Sequence, residues 1–483
     1  MDYFQLKYGL FADAPDLVET IPGLGKLQQS CPGYVEKAEE IQKISRKFAR
    51  EEILPRTLNI DKECDKNPEY VDWDLWRVAN RDKMSVAFLP ENLGGLGANS
   101  LGILAMMEEL CSACMPSSMN IILNNFGLAC AMYENHSGIT MSIIKEMVES
   151  QCQEKPLFWA WAITEPSAGT DVEDEKAMAT MKPSCLAEKV AGGYKLNGTK
   201  CFITNGSLAN YVVTTICLDP SNPVESMATF LVPSSSKGFS VGRVERKCGL
   251  KASQTAELNF KDVFVPEENL WAPPGEGMKH TKEVLSTTRG FVGTMSLGIA
   301  RGALERCIQF AHQKKIKDHR LIDEEWVQIA IADMTKDIMA VRATCMNFAL
   351  ALDTYHVGQL FEKQPMKTAL KIIPQKFWLS DTLISIMNKP GVGESGTKMK
   401  NEIITDDVID KFIMEGSAVK LAGSDLAMNI TSRVLDIVGL EGLSHRYGIE
   451  KCFRDAKITQ IFEGTNQVNR LELFSSTVGG LMS

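Results

Sequence analysis

Lys195-Leu-Asn-Gly-Thr-Lys-Cys-Phe-Ile-Thr-Asn-Gly206 and, five residues on, Tyr211-Val-Val-Thr-Thr-Ile-Cys217 decide the fold. β-Branched and aromatic residues crowd these runs, and alternation with polar residues recurs in Thr229-Phe-Leu-Val232 and Val263-Phe-Val265. Turn pairs, Asn197-Gly198 and Asn205-Gly206, punctuate them at short spacing. The pattern predicts a small antiparallel β domain over 156–275, closed by Pro273-Pro274-Gly275.

Outward from it the period changes. Upstream, Val35–Glu52 and Leu101–Leu110 carry helical spacing, broken by the Gly/Pro loop Leu89–Gly97. Downstream, Val284–Lys314 and Glu325–Leu352 do the same. The expected class is α+β: an arm at 1–33, an N-terminal helical domain at 34–155, the β domain, and a C-terminal helical bundle at 276–483. There are no internal repeats.

A chain of 483 residues has ample core for such units. A net charge of −9 disfavours general binding to nucleic acid or to an anionic membrane, without forbidding a local basic patch. No apolar run reaches the roughly 20 residues of a membrane span. The N-terminus has no basic start followed by an apolar stretch, so no signal peptide is expected. Thirteen scattered cysteines suggest reduced thiols in a cytoplasmic protein. The single Cys-x-x-Cys, Cys111–Cys114, reads as two small residues on one helix face, and no metal site is expected.

Near the C-terminus stands Ile461-Phe-Glu-Gly-Thr465. A carboxylate between bulky apolar neighbours and a flexible glycine loses hydration, and its pKa rises toward that of a useful base. Taken alone, this segment reads better as a Glu-Gly-Thr turn that starts the last helix.

Other blocks stand in register with it: Trp161-Ala-Ile-Thr-Glu-Pro-Ser-Ala-Gly-Thr-Asp171, Lys195–Gly206, and Gly249-Leu-Lys-Ala-Ser-Gln-Thr255 running into Phe264–Leu270. In this order and spacing the chain, from about residue 35 to its end, resembles the acyl-CoA dehydrogenase family. The resemblance implies FAD as cofactor and an acyl-CoA substrate. It implies that Glu463 removes the α proton of the thioester while the β hydrogen passes as hydride to flavin N5. Electrons would then go to an electron-transfer flavoprotein. The backbone N–H of Glu463 would help polarise the thioester oxygen.

By the same resemblance, Trp161, Ile163 and Thr164 line the flavin ring, and Gly169 and Thr170 approach phosphates or substrate. Phe202 stands where the family often has a stacking Trp, and Thr204 adds a hydroxyl. Thr465 and Gln467 reach toward the adenosine side. Thr170, Arg289, Phe462 and Gly464 are the substrate-side candidates, Arg289 either shaping the cavity or pairing with a core carboxylate. Some members carry the base immediately before that arginine. Here the position holds Thr288, which cannot act as a base.

Departures are as informative. Lys251 replaces a usual Arg, and a structural ion pair is its preferred reading. Two motifs through which a second subunit usually contacts the cofactor are altered. One reads Lys314-Lys-Ile-Lys-Asp318, the other Asp436-Ile-Val-Gly-Leu-Glu-Gly442, leaving Lys314 and Gly439 as candidate contacts. A homo-oligomer, dimer or tetramer, is the family default. About 356–410 looks like an insertion, either solvated, a subunit contact or a lid. No Lys or Arg lies between Lys83 and Lys145, which favours an apolar or alicyclic acyl group over a dicarboxylic one. Two alternatives stay open: another acyl-CoA redox reaction (oxidase, enoyl-CoA reductase or decarboxylating dehydrogenase), or a flavin-free, non-catalytic subunit.

Overall fold

A computed structural model describes residues 17–131, 137–169, 175–364, 366–389 and 391–479. Helix α1 (Pro32–Phe48) opens on a proline, whose missing N–H is not needed in a first turn. It buries Val35, Ala38, Ile41 and Phe48, then widens into a π-helical turn at Ala49–Ile53. Helix α2 (Ser100–Ala131) is buried on nearly every face. It breaks at Cys114, where φ is −165° and ψ 101°, two residues before Pro116. A proline ring disrupts the turn that precedes it, so the break falls where chain sterics require. Helix α3 (Ser137–Glu149) follows.

Eight strands form one sheet: β1 (Trp159–Ala162), β2 (Leu186–Val190), β3 (Gly193–Thr204), β4 (Tyr211–Cys217), β5 (Met227–Pro233), β6 (Phe239–Val244), β7 (Thr255–Pro266) and β8 (Leu270–Ala272). Their order is β6-β7-β3-β2-β4-β5-β8, with β1 beside β4. The sheet is mixed rather than wholly antiparallel, because β4 pairs in parallel with both β1 and β2. Parallel neighbours need a long connection. The chain between β1 and β4 supplies one, and local alternation does not reveal it.

The C-terminal part is a bundle of α4 (Gly277–Gln313), α5 (Glu325–Tyr355), α10 (Asp406–Gly442), α11 (Ile449–Thr459) and α12 (Asn466–Thr477). Helices α4 and α10 run along each other at glycines. A Cβ on Gly423 would lie 2.2 Å from the Gly293 carbonyl oxygen, so only glycine permits this approach. Beneath, two buried carboxylates of α2 tie four helices together. Glu109 meets Arg46 of α1 at 2.5 Å and Arg301 of α4 at 2.8 Å. Glu108 meets Arg301 at 3.0 Å and accepts from Nε of Arg342, on α5, at 2.9 Å. Such a network fixes register more than it adds net stability.

Among the described residues, the excursion expected at 356–410 holds five short helices: Gln359–Glu362, then α6 (Met366–Ile372), α7 (Gln375–Trp378), α8 (Asp381–Met387) and α9 (Val392–Ile403). Trp378 and Ile384 join Met147 and Trp159 in one apolar cluster. Lys400 of α9 forms a buried ion pair with Glu283 of α4, at 2.8 and 2.9 Å. The eleven cysteines whose side chains are described are free thiols. Among the described residues, no helix is long and apolar enough to cross a membrane.

Candidate active site

Between α11 and α12 the chain turns through Ile461–Thr465. Glu463 has φ +56° and Gly464 φ +75°. A left-handed glutamate costs roughly 1–2 kcal/mol, so the surroundings must impose it. They do so through the next carbonyl. Asn469 Nδ2 donates to Gly464 O at 2.8 Å, and the fully buried Lys420 ammonium donates to the same oxygen. Thr465 caps α12 by accepting the Val468 N–H at 3.4 Å.

The carboxylate produced by this turn lines a cavity of about 410 Å³. Thr288 of α4 donates its hydroxyl to Glu463 Oε2 at 3.1 Å. Burial pushes the Glu463 carboxyl above the ordinary range, while the charge of Arg289, the Thr288 hydrogen bond and the charge of Lys420 pull it back. Arg289 does not line the cavity. It is fully buried behind the wall, donating to Ser417 Oγ at 3.0 Å and pairing with Glu472. The Glu463 backbone N–H has no hydrogen-bond partner among the described residues.

One wall comes from the β domain: Trp161, Ile163, Thr164 and Gly169, with Phe202 and Thr204 of β3. Phe202 sits at a register shift between Lys200 and Ile203, with φ +58° and 60% exposure. Behind this wall lies an ion pair that sequence reasoning missed. Lys200, 1% exposed, donates to Ile163 O at 2.8 Å, Thr215 O at 2.7 Å and Glu165 Oε1 at 2.9 Å. Glu165 in turn accepts the Ser184 and Cys185 N–H groups at 2.6 and 3.1 Å. This knot binds the Trp161–Gly169 loop to β3 and β4. The opposite wall is apolar: Met119, Leu123 and Phe126 of α2, Val284 and Leu285 of α4, and Phe462.

FAD fits this wall on three observations. An exposed aromatic face at Phe202 offers a stacking surface. The Thr164 and Thr204 hydroxyls make no side-chain hydrogen bond among the described residues. The buried Trp161 indole N–H is likewise without a partner. A flat apolar ring with polar edges meets each of these needs.

Of the expected site residues, the cavity brings together Trp161, Ile163, Thr164, Gly169, Phe202, Thr204, Phe462, Glu463, Gly464 and Thr465. Gln467 is exposed in the first turn of α12 and does not line it. Thr170 lies outside the described residues. Lys314 follows the last residue of α4, about 39 Å along the helix from Thr288. There it pairs with Glu441 at 2.5 Å, close in sequence to Gly439, a break in α10 with φ +57°. Lys251 pairs with Asp65 at 2.5 Å, the structural reading preferred for it. The asparagines of α2 are structural too. Asn120 donates to Ala252 O at 3.1 Å and Asn124 to Leu157 O at 2.7 Å, tying helix to β domain.

Family models agree with this architecture. The N-terminal, middle and C-terminal domain models of acyl-CoA dehydrogenase match residues 35–145, 160–263, and 275–382 with 400–476. Of the expected insertion, only 383–399 falls outside the match. The chain belongs to the acyl-CoA dehydrogenase family; it is an FAD-dependent oxidoreductase. Among its relatives is cyclohex-1-ene-1-carbonyl-CoA dehydrogenase of Syntrophus aciditrophicus, 27% identical over 90% of this chain and 88% of that protein. The NADH-linked acryloyl-CoA reductase of Anaerotignum propionicum is also 27% identical, over 90% and 92%. The FAD complex of an acyl-CoA dehydrogenase from Bacillus anthracis superposes with a TM-score of 0.71 at 23% identity, covering 92% of this chain and 67% of that one.

Proposed function

We propose that this enzyme desaturates an acyl-CoA thioester between its α and β carbons, with Glu463 as the base. The observation that carries this reading is the Glu463 carboxylate, held by a strained turn against Thr288 and facing an apolar cavity whose far wall suits a flavin. FAD, when bound, supplies the hydride acceptor. Glu463 takes the α proton at its carboxylate, and its free backbone N–H is aimed at charge developing on the thioester oxygen. Apolar walls exclude water and keep the carboxyl pKa high enough to accept that proton.

The acyl group is compact and uncharged. Among the described lining residues Glu463 carries the only charge, and Phe126, stacked on Phe291 at 5.8 Å, stands at the apolar wall. A short or alicyclic acyl chain meets these limits. Thr170, with Gly464, serves the substrate side, while Gln467, and Lys314 and Gly439 from a second copy, serve the far half of the cofactor. Electrons leave to an electron-transfer flavoprotein. The enzyme works in the cytoplasm as a homo-oligomer, dimer or tetramer.

A second reading, reduction of an enoyl thioester, is favoured by the equal likeness to the acryloyl-CoA reductase. The test is anaerobic titration of the yellow holoenzyme with acyl-CoA esters. Bleaching by a saturated ester, lost in Glu463→Gln with flavin retained, supports the proposal. No bleaching by any saturated ester, with reoxidation of pre-reduced enzyme by an enoyl ester, moves the assignment to the second reading.

A further inference from the structure

The chain carries a net charge of −9, yet between Lys363 and Ser380 it has four lysines and no acidic residue. Lys363 and Lys367 are neutralised by Glu402 and Glu362. Lys371 and Lys376 are exposed and form no ion pair among the described residues. Each is followed by an apolar residue turned to solvent. Ile372 is 72% exposed and Phe377 45%. They flank Pro374, at the junction of α6 and α7.

The tip is not loose chain. Leu370, Ile373 and Trp378 pack into the apolar cluster of α3 and Trp159, and Asn92 donates to Leu370 O. Inward residues anchor the segment, so Ile372 and Phe377 are displayed by a fixed scaffold. No residue of the segment lines the active cavity.

We propose that the Lys371–Phe377 tip docks this enzyme on an anionic lipid surface. Ammonium groups beside isolated apolar side chains match the boundary between headgroups and acyl chains. Two apolar side chains and two cations fall far short of the roughly 800 Å² a side of a stable protein interface, whereas a bilayer boundary requires no complementary shape. The negative remainder of the molecule is repelled by the same surface, which orients the tip toward it.

The test uses the full-length holoenzyme and sedimentation with vesicles. One set is phosphatidylcholine alone; the other carries about 30% phosphatidylglycerol at low salt. Binding is expected to the anionic vesicles only. Lys371→Gln with Lys376→Gln should weaken it about thirtyfold, and Ile372→Ser with Phe377→Ser should weaken it at unchanged charge. All four side chains are exposed, so flavin spectrum and melting temperature should not move, and these confirm folding. Absence of vesicle binding, or binding indifferent to the lysine pair, overturns the proposal. Binding that ignores Ile372 and Phe377 reduces it to charge adsorption and also overturns it. Lysine-dependent capture of an acidic electron carrier without vesicle binding would assign the tip to a protein instead.

Discussion

Glu463 and Thr288 touch across 3.1 Å, from residues 175 positions apart. From Phe462 and Gly464 alone the glutamate reads better as part of a plain turn; it becomes the candidate base only through the blocks in register with it, Trp161–Asp171 and Lys195–Gly206. Its partner was not legible: a threonine in a long helix gives no local sign of what its hydroxyl meets. Replacing Glu463 with Gln should lower kcat by about 10²–10⁴-fold, measured by anaerobic stopped-flow bleaching, with flavin still bound. Removing the hydroxyl in Thr288→Val withdraws a hydrogen bond that favours the ionised form, so the base pKa rises further. The rising limb of the kcat–pH profile should move to higher pH. An unmoved limb would mean that the bond does not reach the base during turnover.

The Trp161–Gly169 loop, β3 and β4 are held together by one buried ammonium, Lys200. A lysine in a strand of alternating pattern reads as a solvent-facing residue, and its partner Glu165 lies 35 positions away. Alternation reports which face of a strand is buried, and it carries no record of what crosses from another segment. For the same reason the parallel pairing of β4 with β1 and β2 was hidden, while the strands themselves were plain. Lys200→Met leaves Glu165 charged and unpaired in the interior, which should destabilise the fold by about 3–5 kcal/mol. Chemical denaturation should record this loss. Flavin should dissociate more readily as well, since Ile163 and Thr164 lose their backing.

Two buried imidazoles make the whole molecule sensitive to acid. Burial lowers the pKa of His280 from 6.5 to about 3, with the charge of Lys400 adding to it, and burial alone does the same for His356. Both pKa values are depressed in the folded state, so the unfolded chain binds more protons between pH 6.5 and 3. The stability they contribute is complete above pH 6.5 and is lost as pH falls through that window. Between pH 7 and pH 5 the melting free energy should drop by about 2 kcal/mol for each. His280→Phe should flatten that slope, and an unchanged slope would mean that other groups take up the protons. The helix–sheet–helix order was readable from periodicity, but burial of these histidines was not, since each depends on helices brought over it from elsewhere. The cavity has the same long-range character, with walls drawn from Met119 to Thr465. No fragment of the chain contains the chemistry. A polypeptide clipped between Met119 and Thr465 should therefore fail to keep flavin, and the yellow colour should report that α2, the β domain and the turn after α11 have come together.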